Sequence, residues 1–205
     1  MKVNFTSEGN LPILGISKMN YSYFDNNIER YLRFFSVEEK EEINKIKRKK
    51  KRIQTIISHL MIKKYISQEV TDFSSWNEVV ILKKESGQPY ILGTSLSISI
   101  SHCDTYCFWG ITKNNIVIGV DCENIISDRF INLTSGFILS WSVKEAFLKM
   151  LGVGFKFGID SIEIDFSKKK IILNENYRPL FHYQKVFLDT FIVDNTLFNI
   201  CRALK

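Results

Sequence analysis

Leu96-Ser97-Ile98-Ser99-Ile100-Ser101-His102 is the stretch from which the fold is read. Its aliphatic residues alternate with serine at a period of two, the spacing that sends successive strand side chains to opposite faces. The pattern predicts a half-buried β-strand that delivers His102 at its end. Downstream, Tyr106 to Ile111 and Ile116 to Val120 form a hairpin around Lys113-Asn114-Asn115, and its second strand runs into Asp121-Cys122-Glu123. Upstream, Val79 to Leu82 reads as a strand leading into Glu85-Ser86-Gly87-Gln88-Pro89-Tyr90. There Gly87 permits a tight turn and Pro89 restricts the residue before it.

Helices flank these strands. Ser36 precedes Glu39 by three residues, the spacing of a capping box. Apolar residues then recur at helical spacing from Ile43 to Ile66, as one long amphipathic helix or two in close succession. Phe137 to Leu151 is a second helix with Phe137, Trp141, Leu148 and Leu151 among its apolar residues, broken by Gly152 and Gly154. Ile13 to Met19, Ile162 to Phe166, Ile171 to Leu173, Tyr183 to Leu188 and Thr196 to Cys201 supply further strands. Each half thus reads as helix followed by strands, changing over near residues 103–112. The fold class is α+β, with helices against mainly antiparallel sheet.

A chain of 205 residues with 45% hydrophobic and 24% charged residues can bury a real core. No apolar run is long enough for a membrane helix, and Glu8 and Pro12 interrupt the N-terminus where a signal peptide would be apolar. The expectation is a cytoplasmic protein with no membrane partner. The four cysteines lack a disulfide-scaffold pattern, and Cys103 with Cys107 lacks the second pair of a zinc site, so reduced thiols are expected. The net charge is +6, and seven of the eight residues from Lys45 to Arg52 are Lys or Arg. Such a block suits nucleic acid, a phosphorylated cofactor, an acidic protein or simply a solvated helix face. It lacks the interleaved aromatics of a base-stacking platform, so no nucleic-acid partner is expected.

Asp121 and Glu123 stand two apart at a strand end and face one way. Two such carboxylates repel unless protonated, solvated or bridged by a cation, and an oxygen-rich pair suits Mg²⁺. On the helix, Glu145 and Lys149 are i,i+4, which reads either as a surface ion pair or as a metal ligand or base beside a phosphate clamp. His102 and Ser101 end the serine strand, where they could meet an anion. No nucleophilic triad and no glycine-rich nucleotide loop is present.

Ser99-Ile100-Ser101-His102, Ile118-Gly119-Val120-Asp121-Cys122-Glu123 and Trp141-Ser142-Val143-Lys144-Glu145-Ala146-Phe147-Leu148-Lys149, in this order, resemble the 4′-phosphopantetheinyl transferase superfamily in its longer form. The resemblance spans roughly residues 36–190 and implies two similar α+β halves forming a pseudo-dimer in one chain. These are an N-terminal half at 1–107 with the basic helix and part of the coenzyme A site, and a C-terminal half at 108–205 with the acids and catalytic helix. The implied reaction transfers phosphopantetheine from coenzyme A to a serine of an acyl or peptidyl carrier protein, releasing adenosine 3′,5′-bisphosphate. By the same resemblance Asp121, Glu123 and Glu145 hold Mg²⁺, Glu145 accepts the serine proton and Lys149 stabilises phosphoryl charge. Lys51 or Arg52, Ser101, His102 and Lys144 contact the cofactor. A monomer follows from the length.

Three places depart from the family pattern. Its Gly-Lys-Pro element stands here as Gly87-Gln88-Pro89. An ungapped reading from Ser36 puts Gln54 where the family often has a cofactor-contacting arginine. Only 17 residues separate Glu123 from Trp141, where the longer form carries an extra helix and an acidic loop that helps receive the carrier. These departures motivate the alternative of a catalytically weak coenzyme A or carrier-binding regulatory protein.

Overall fold

The structure, a computed structural model, describes residues 2–6, 12–69, 73–113, 115–125, 135–154 and 158–204. Glu8, Asn114 and the 126–134 part of the shortened bridge lie outside the described residues. The elements in order are β1 (Lys2–Thr6), β2 (Ile13–Lys18), α1 (Tyr21–Asn26), α2 (Ile28–Leu32), α3 (Val37–Asn44) and α4 (Lys49–Glu69). There follow β3 (Ile81–Lys83), β4 (Pro89–Ile91), β5 (Ser97–His102), β6 (Tyr106–Thr112), β7 (Ile116–Asn124) and α5 (Ser135–Leu151). The chain closes with β8 (Ile162–Asp165), β9 (Lys170–Leu173), β10 (Lys185–Val193) and β11 (Thr196–Leu204).

They form two similar α+β halves of helices on mainly antiparallel sheets. In the first, β2, β6 and β5 make a three-stranded sheet beside the β3–β4 hairpin. In the second, six strands run β7-β11-β10-β1-β9-β8, antiparallel except where β1 lies parallel to β10. The N-terminal strand therefore completes the C-terminal sheet, and β6 crosses the 107/108 division.

The capping box forms as expected. Ser36 Oγ accepts the Glu39 N–H at 3.2 Å, and the Glu39 carboxylate accepts the Ser36 N–H at 2.8 Å. Helix α3 nevertheless ends at Asn44, and α4 begins only at Lys49, inside the basic block. Like charges at i,i+4, such as Lys47 with Lys51 and Arg48 with Arg52, oppose one continuous helix there. Helix α4 then buries Ile53, Ile57, Ile62 and Ile66 against Ile98 and Ile111 of the small sheet. Helices α1 and α2, which the sequence reading left unassigned, pack Phe24, Ile28 and Leu32 beside Ile56 and Leu60.

Helix α5 lies on β7 and β11 through Val143, Ala146, Phe147 and Met150, all buried. Phe137 is exposed and Trp141 half-buried, so of the apolar residues quoted above Leu148 is the one fully buried in this core. Close approach is set by Gly119 on β7. A Cβ there would lie 1.9 Å from the Ala146 carbonyl oxygen and 2.3 Å from the Met150 nitrogen.

The serine face of β5 corrects the half-buried expectation. Ser97, Ser99 and Ser101 Oγ accept the N–H groups of Ile118, Val120 and Cys122 at 3.2, 3.0 and 3.3 Å. The hydroxyls thus satisfy edge-strand donors of β7 that would otherwise be buried without partners. Ile98 and Ile100 point the other way into the α4 core. Side chains, rather than a backbone ladder, stitch the two halves together.

Candidate active site

The seam ends at Ser101, and there the acid of β7 is locked in place. Asp121 is only 2% exposed. Its Oδ1 accepts from Ser101 Oγ at 2.8 Å and Lys149 Nζ at 2.6 Å, and its Oδ2 accepts from Ser142 Oγ at 2.7 Å. Lys149 also donates to Ser101 Oγ at 3.0 Å. Ser142 in turn accepts from Asn199 Nδ2 at 2.8 Å, and Asn199 Oδ1 accepts from Thr190 Oγ1 at 2.6 Å. Four elements, β5, β7, α5 and β11, therefore fix one carboxylate, which meets the requirement that a buried charge be paired and fully hydrogen-bonded. Sequence reasoning missed Ser142 and Asn199. The signal for Ser142 was its place three and seven residues before Glu145 and Lys149, on one helical face.

Burial alone would lower the Lys149 ammonium, but the charges of Asp121 and Glu145 and the hydrogen bond to Asp121 outweigh it and hold the group above its ordinary range. Glu145 Oε2 is 3.7 Å from Lys149 Nζ. Asp121, Glu123, Glu145, Lys149, Ser101 and His102 all line one cavity of about 390 Å³, together with Lys51 and Gln54 of α4. A second cavity of about 320 Å³ shares Lys51, Gln54, His102 and Glu123, and adds Arg48 and Lys50. The two halves thus build the site jointly.

Within the basic block, Lys51 reaches both cavities, whereas Arg52 lines neither and has its Nε buried without a hydrogen-bond partner. Lys144 lines neither cavity. Its neighbour Glu145 faces the cavity, and one helical step rotates Lys144 away by about 100°. Gln54 Nε2 donates to Tyr21 Oη at 3.0 Å and to the Cys103 carbonyl at 3.2 Å, so its amide ties α4 to the end of β5. Lys49 and Lys50 are paired with Asp25 and Asp104 at 2.7 and 2.5 Å.

Two cavity residues were not anticipated. His59, buried on α4, has Nδ1 3.8 Å from Glu39 Oε1, too long for a hydrogen bond. Burial, with the charges of Lys83 and Lys63, pushes its imidazole down to about 3. Lys83, at the end of β3, lines the same cavity. His102 Nε2 meets Ser58 Oγ at 3.2 Å. Burial and then the charge of Lys149 push its imidazole down to about 4, so both rings are neutral at pH 7. All four cysteines are free thiols.

The donor chemistry fits Mg²⁺, which takes one or two protein carboxylates and completes its shell with water and phosphate oxygens. Glu123 and Glu145 offer hard oxygens on the cavity wall. Among the described residues, however, no three His, Cys, Asp or Glu side chains converge as a metal cluster. The two oxygens of Asp121 already receive three donors, one of them a cation. Also among the described residues, no helix is long and apolar enough to cross a membrane.

Two family models match the chain. One, described as 4′-phosphopantetheinyl transferase, N-terminal, covers residues 21–112, and the other, described as 4′-phosphopantetheinyl transferase superfamily, covers residues 131–195. The chain is also similar to the 4′-phosphopantetheinyl transferase gsp of Aneurinibacillus migulanus, at 25% identity over 140 residues. That alignment takes in 58% of this chain and 57% of the relative, so the chain spans a little over half the length of the curated relative it matches.

Proposed function

The chain belongs to the 4′-phosphopantetheinyl transferase superfamily, and from that premise we propose that it transfers the 4′-phosphopantetheine group of coenzyme A to a serine hydroxyl of an acyl or peptidyl carrier protein, with adenosine 3′,5′-bisphosphate as the other product. The observation that carries the reading is the convergence of Asp121, Glu123, Glu145 and Lys149 with Ser101 and His102 on one cavity built by both halves. In the proposed division, residues 1–107 contribute the basic helix and residues 108–205 the acids.

Asp121, Glu123 and Glu145 would hold Mg²⁺ against the pyrophosphate, and that ion would neutralise phosphoryl charge when bound. The carrier serine oxygen bonds to the phosphorus bearing the pantetheine arm as the bond to the bisphosphate leaving group breaks. Glu145, directly or through a water, accepts the serine proton. Lys149, held charged by its acidic neighbours, stabilises the negative charge that develops on the bridging and pyrophosphate oxygens. Ser101 positions Asp121 and Lys149, because its one proton goes to Asp121. His102 and Lys51 face the coenzyme A phosphates, and the remaining cations of the block favour an acidic carrier surface.

Intact-mass measurement of a panel of apo carrier proteins, incubated with the chain, coenzyme A and Mg²⁺, tests the reading. Addition of phosphopantetheine to at least one carrier is expected. No addition across the panel, with tight coenzyme A binding by the folded chain, would instead support the binding-protein reading, which the saturated Asp121 carboxylate favours.

A further inference from the structure

The serine face of β5 does not stop at Ser101. One period further along the chain comes Cys103, the residue that follows the strand into the turn toward β6. The Cys103 N–H donates to the Tyr106 carbonyl at 3.0 Å, and the Tyr106 N–H donates to Cys103 Sγ at 3.3 Å. Across the seam, Cys122 stands on β7 between Asp121 and Glu123, with its N–H on Ser101 Oγ. Cys103 and Cys122 belong to one apolar cluster with Tyr106, Phe108 and Phe198, and their thiols lie within hydrogen-bond reach of each other.

The other two cysteines are placed differently. Cys107 faces the α4 core on the opposite side of β6, and Cys201 lies in the core under α5. Both are fully buried, which pushes their thiols up. Cys103 instead lines the cavity of about 320 Å³ beside His102 and Glu123, so a small solute can reach it. The hydrogen bond from Cys122, then those from the Thr105 and Tyr106 backbone, outweigh burial and hold its thiol below the ordinary range. One thiol is therefore open to attack a solute, and a second stands against it.

We propose that Cys103 and Cys122 are a redox-active dithiol, which a low-molecular-weight disulfide converts to a disulfide across the seam, turning the adjoining site off. The Cys103 thiolate attacks the oxidant RSSR, forming a mixed disulfide and releasing RS⁻. The Cys122 thiol, giving its proton to solvent, then attacks Cys103 Sγ and expels the second RS⁻. Two protein thiols are thus oxidised to one disulfide, while RSSR is reduced to two RSH that take up the two thiol protons. Bonded sulfurs stand about 2.0 Å apart, closer than any non-bonded contact, so the bond draws the 121–123 segment toward β5. Asp121 and Glu123 move with it, and a misplacement of about 1 Å can cost about 10²-fold in rate. The loss of turnover rests on the transfer reaction proposed above, whereas the dithiol does not.

The test incubates the folded full chain with glutathione disulfide, alkylates the remaining thiols and maps disulfides by peptide mass. Wild type should yield the Cys103–Cys122 bond, with Cys107 and Cys201 alkylated only after unfolding. Carrier modification should fall at least about tenfold on oxidation and return with dithiothreitol. Cys122→Ser should stop at glutathione bound to Cys103, and Cys103→Ser should take up no glutathione and not respond to oxidant. Persistent free thiols, a bond to Cys107 or Cys201 instead, or a mapped Cys103–Cys122 bond with unchanged turnover would overturn the proposal. If the reduced chain modifies no carrier, the transfer reading and the switch fall together, while the mapping still decides the dithiol.

Discussion

Lys149 Nζ stands 2.6 Å from Asp121 Oδ1, so the end of α5 carries a cation fixed on the buried acid of β7. The repulsion expected between clustered carboxylates is thereby relieved within the protein. One consequence is that the folded state does not depend on a bound metal. Chelator and Mg²⁺ should leave the melting temperature of the free chain unchanged, while chelation abolishes carrier modification. A large metal-dependent rise in melting temperature without coenzyme A would contradict this account of Asp121.

Removing the cation should be felt directly. Lys149→Met leaves Asp121 with two hydroxyl donors and no countercharge. Because Lys149 is 31% exposed, solvent screens part of the loss, and destabilisation of about 1–2 kcal/mol is expected in urea unfolding. Glu145→Gln, by contrast, should lower turnover by about 10²–10⁴-fold with nearly unchanged stability. Equal activity in that variant would remove Glu145 from the chemistry.

Gly119 controls how close α5 comes to β7. Gly119→Ala would push a methyl into the Ala146 carbonyl and the Met150 nitrogen, which are helix backbone and cannot rotate aside. Destabilisation of at least about 3 kcal/mol is expected, with loss of activity in whatever fraction stays folded, because Glu145 and Lys149 move with the helix. Retention of wild-type melting and turnover would show that the helix has room to shift.

The legible parts of the fold were those set by local periodicity. Strands β5, β6 and β7 and helix α5 could be read from spacing, but β6 and β7 do not form the expected hairpin: β6 pairs with β5 and β2, and β7 pairs with β11 in the other sheet. Periods of two and of four residues related Asp121 to Glu123 and Glu145 to Lys149, and the resemblance to the family joined the two pairs. The rest depends on distant partners. Nothing within Lys2–Thr6 announces that it joins β10 and β9, far along the chain. The serines of β5 looked like a wet face because their acceptor role depends on β7. Lys83 and His59 are ordinary residues of a strand end and a helix until folding opens them on one cavity.

His59 should make the protein sensitive to acid. Its imidazole lies at about 3 when folded, against 6.5 for the free side chain. Between those values the unfolded chain binds a proton that the folded chain refuses, so stability is complete above about pH 6.5 and falls as pH drops toward 3. The slope from this one group is about 1.4 kcal/mol per pH unit. Urea midpoints measured from pH 7 to 4 should decline less steeply in His59→Phe than in wild type, and identical slopes would exclude the assignment.

The buried Glu39–Lys63 pair should be intolerant of a single change. Lys63→Met strands a carboxylate that is 1% exposed, and a loss of about 3–5 kcal/mol is expected. Replacing both partners by apolar residues should recover a large part of it. A double variant no more stable than the single one would mean that Glu39 matters mainly through the N–H groups of Ser36 and Ile81.

The serine seam has a further consequence, for how the chain tolerates changes in length. Each contact joins residues 21 apart, from Ser97 with Ile118 to Ser101 with Cys122. Lengthening the loop of the intervening hairpin alters that count but not the phase, since β5 meets β7 through side chains rather than through the loop. A one-residue slip of β5 itself would replace the three hydroxyls by Ile98 and Ile100 together with Leu96 or His102, according to its direction. The seam is therefore a ratchet with a two-residue tooth. A slip of a full tooth would carry Ser101 off Asp121, so the register that closes the interface is also the one that aims the acid.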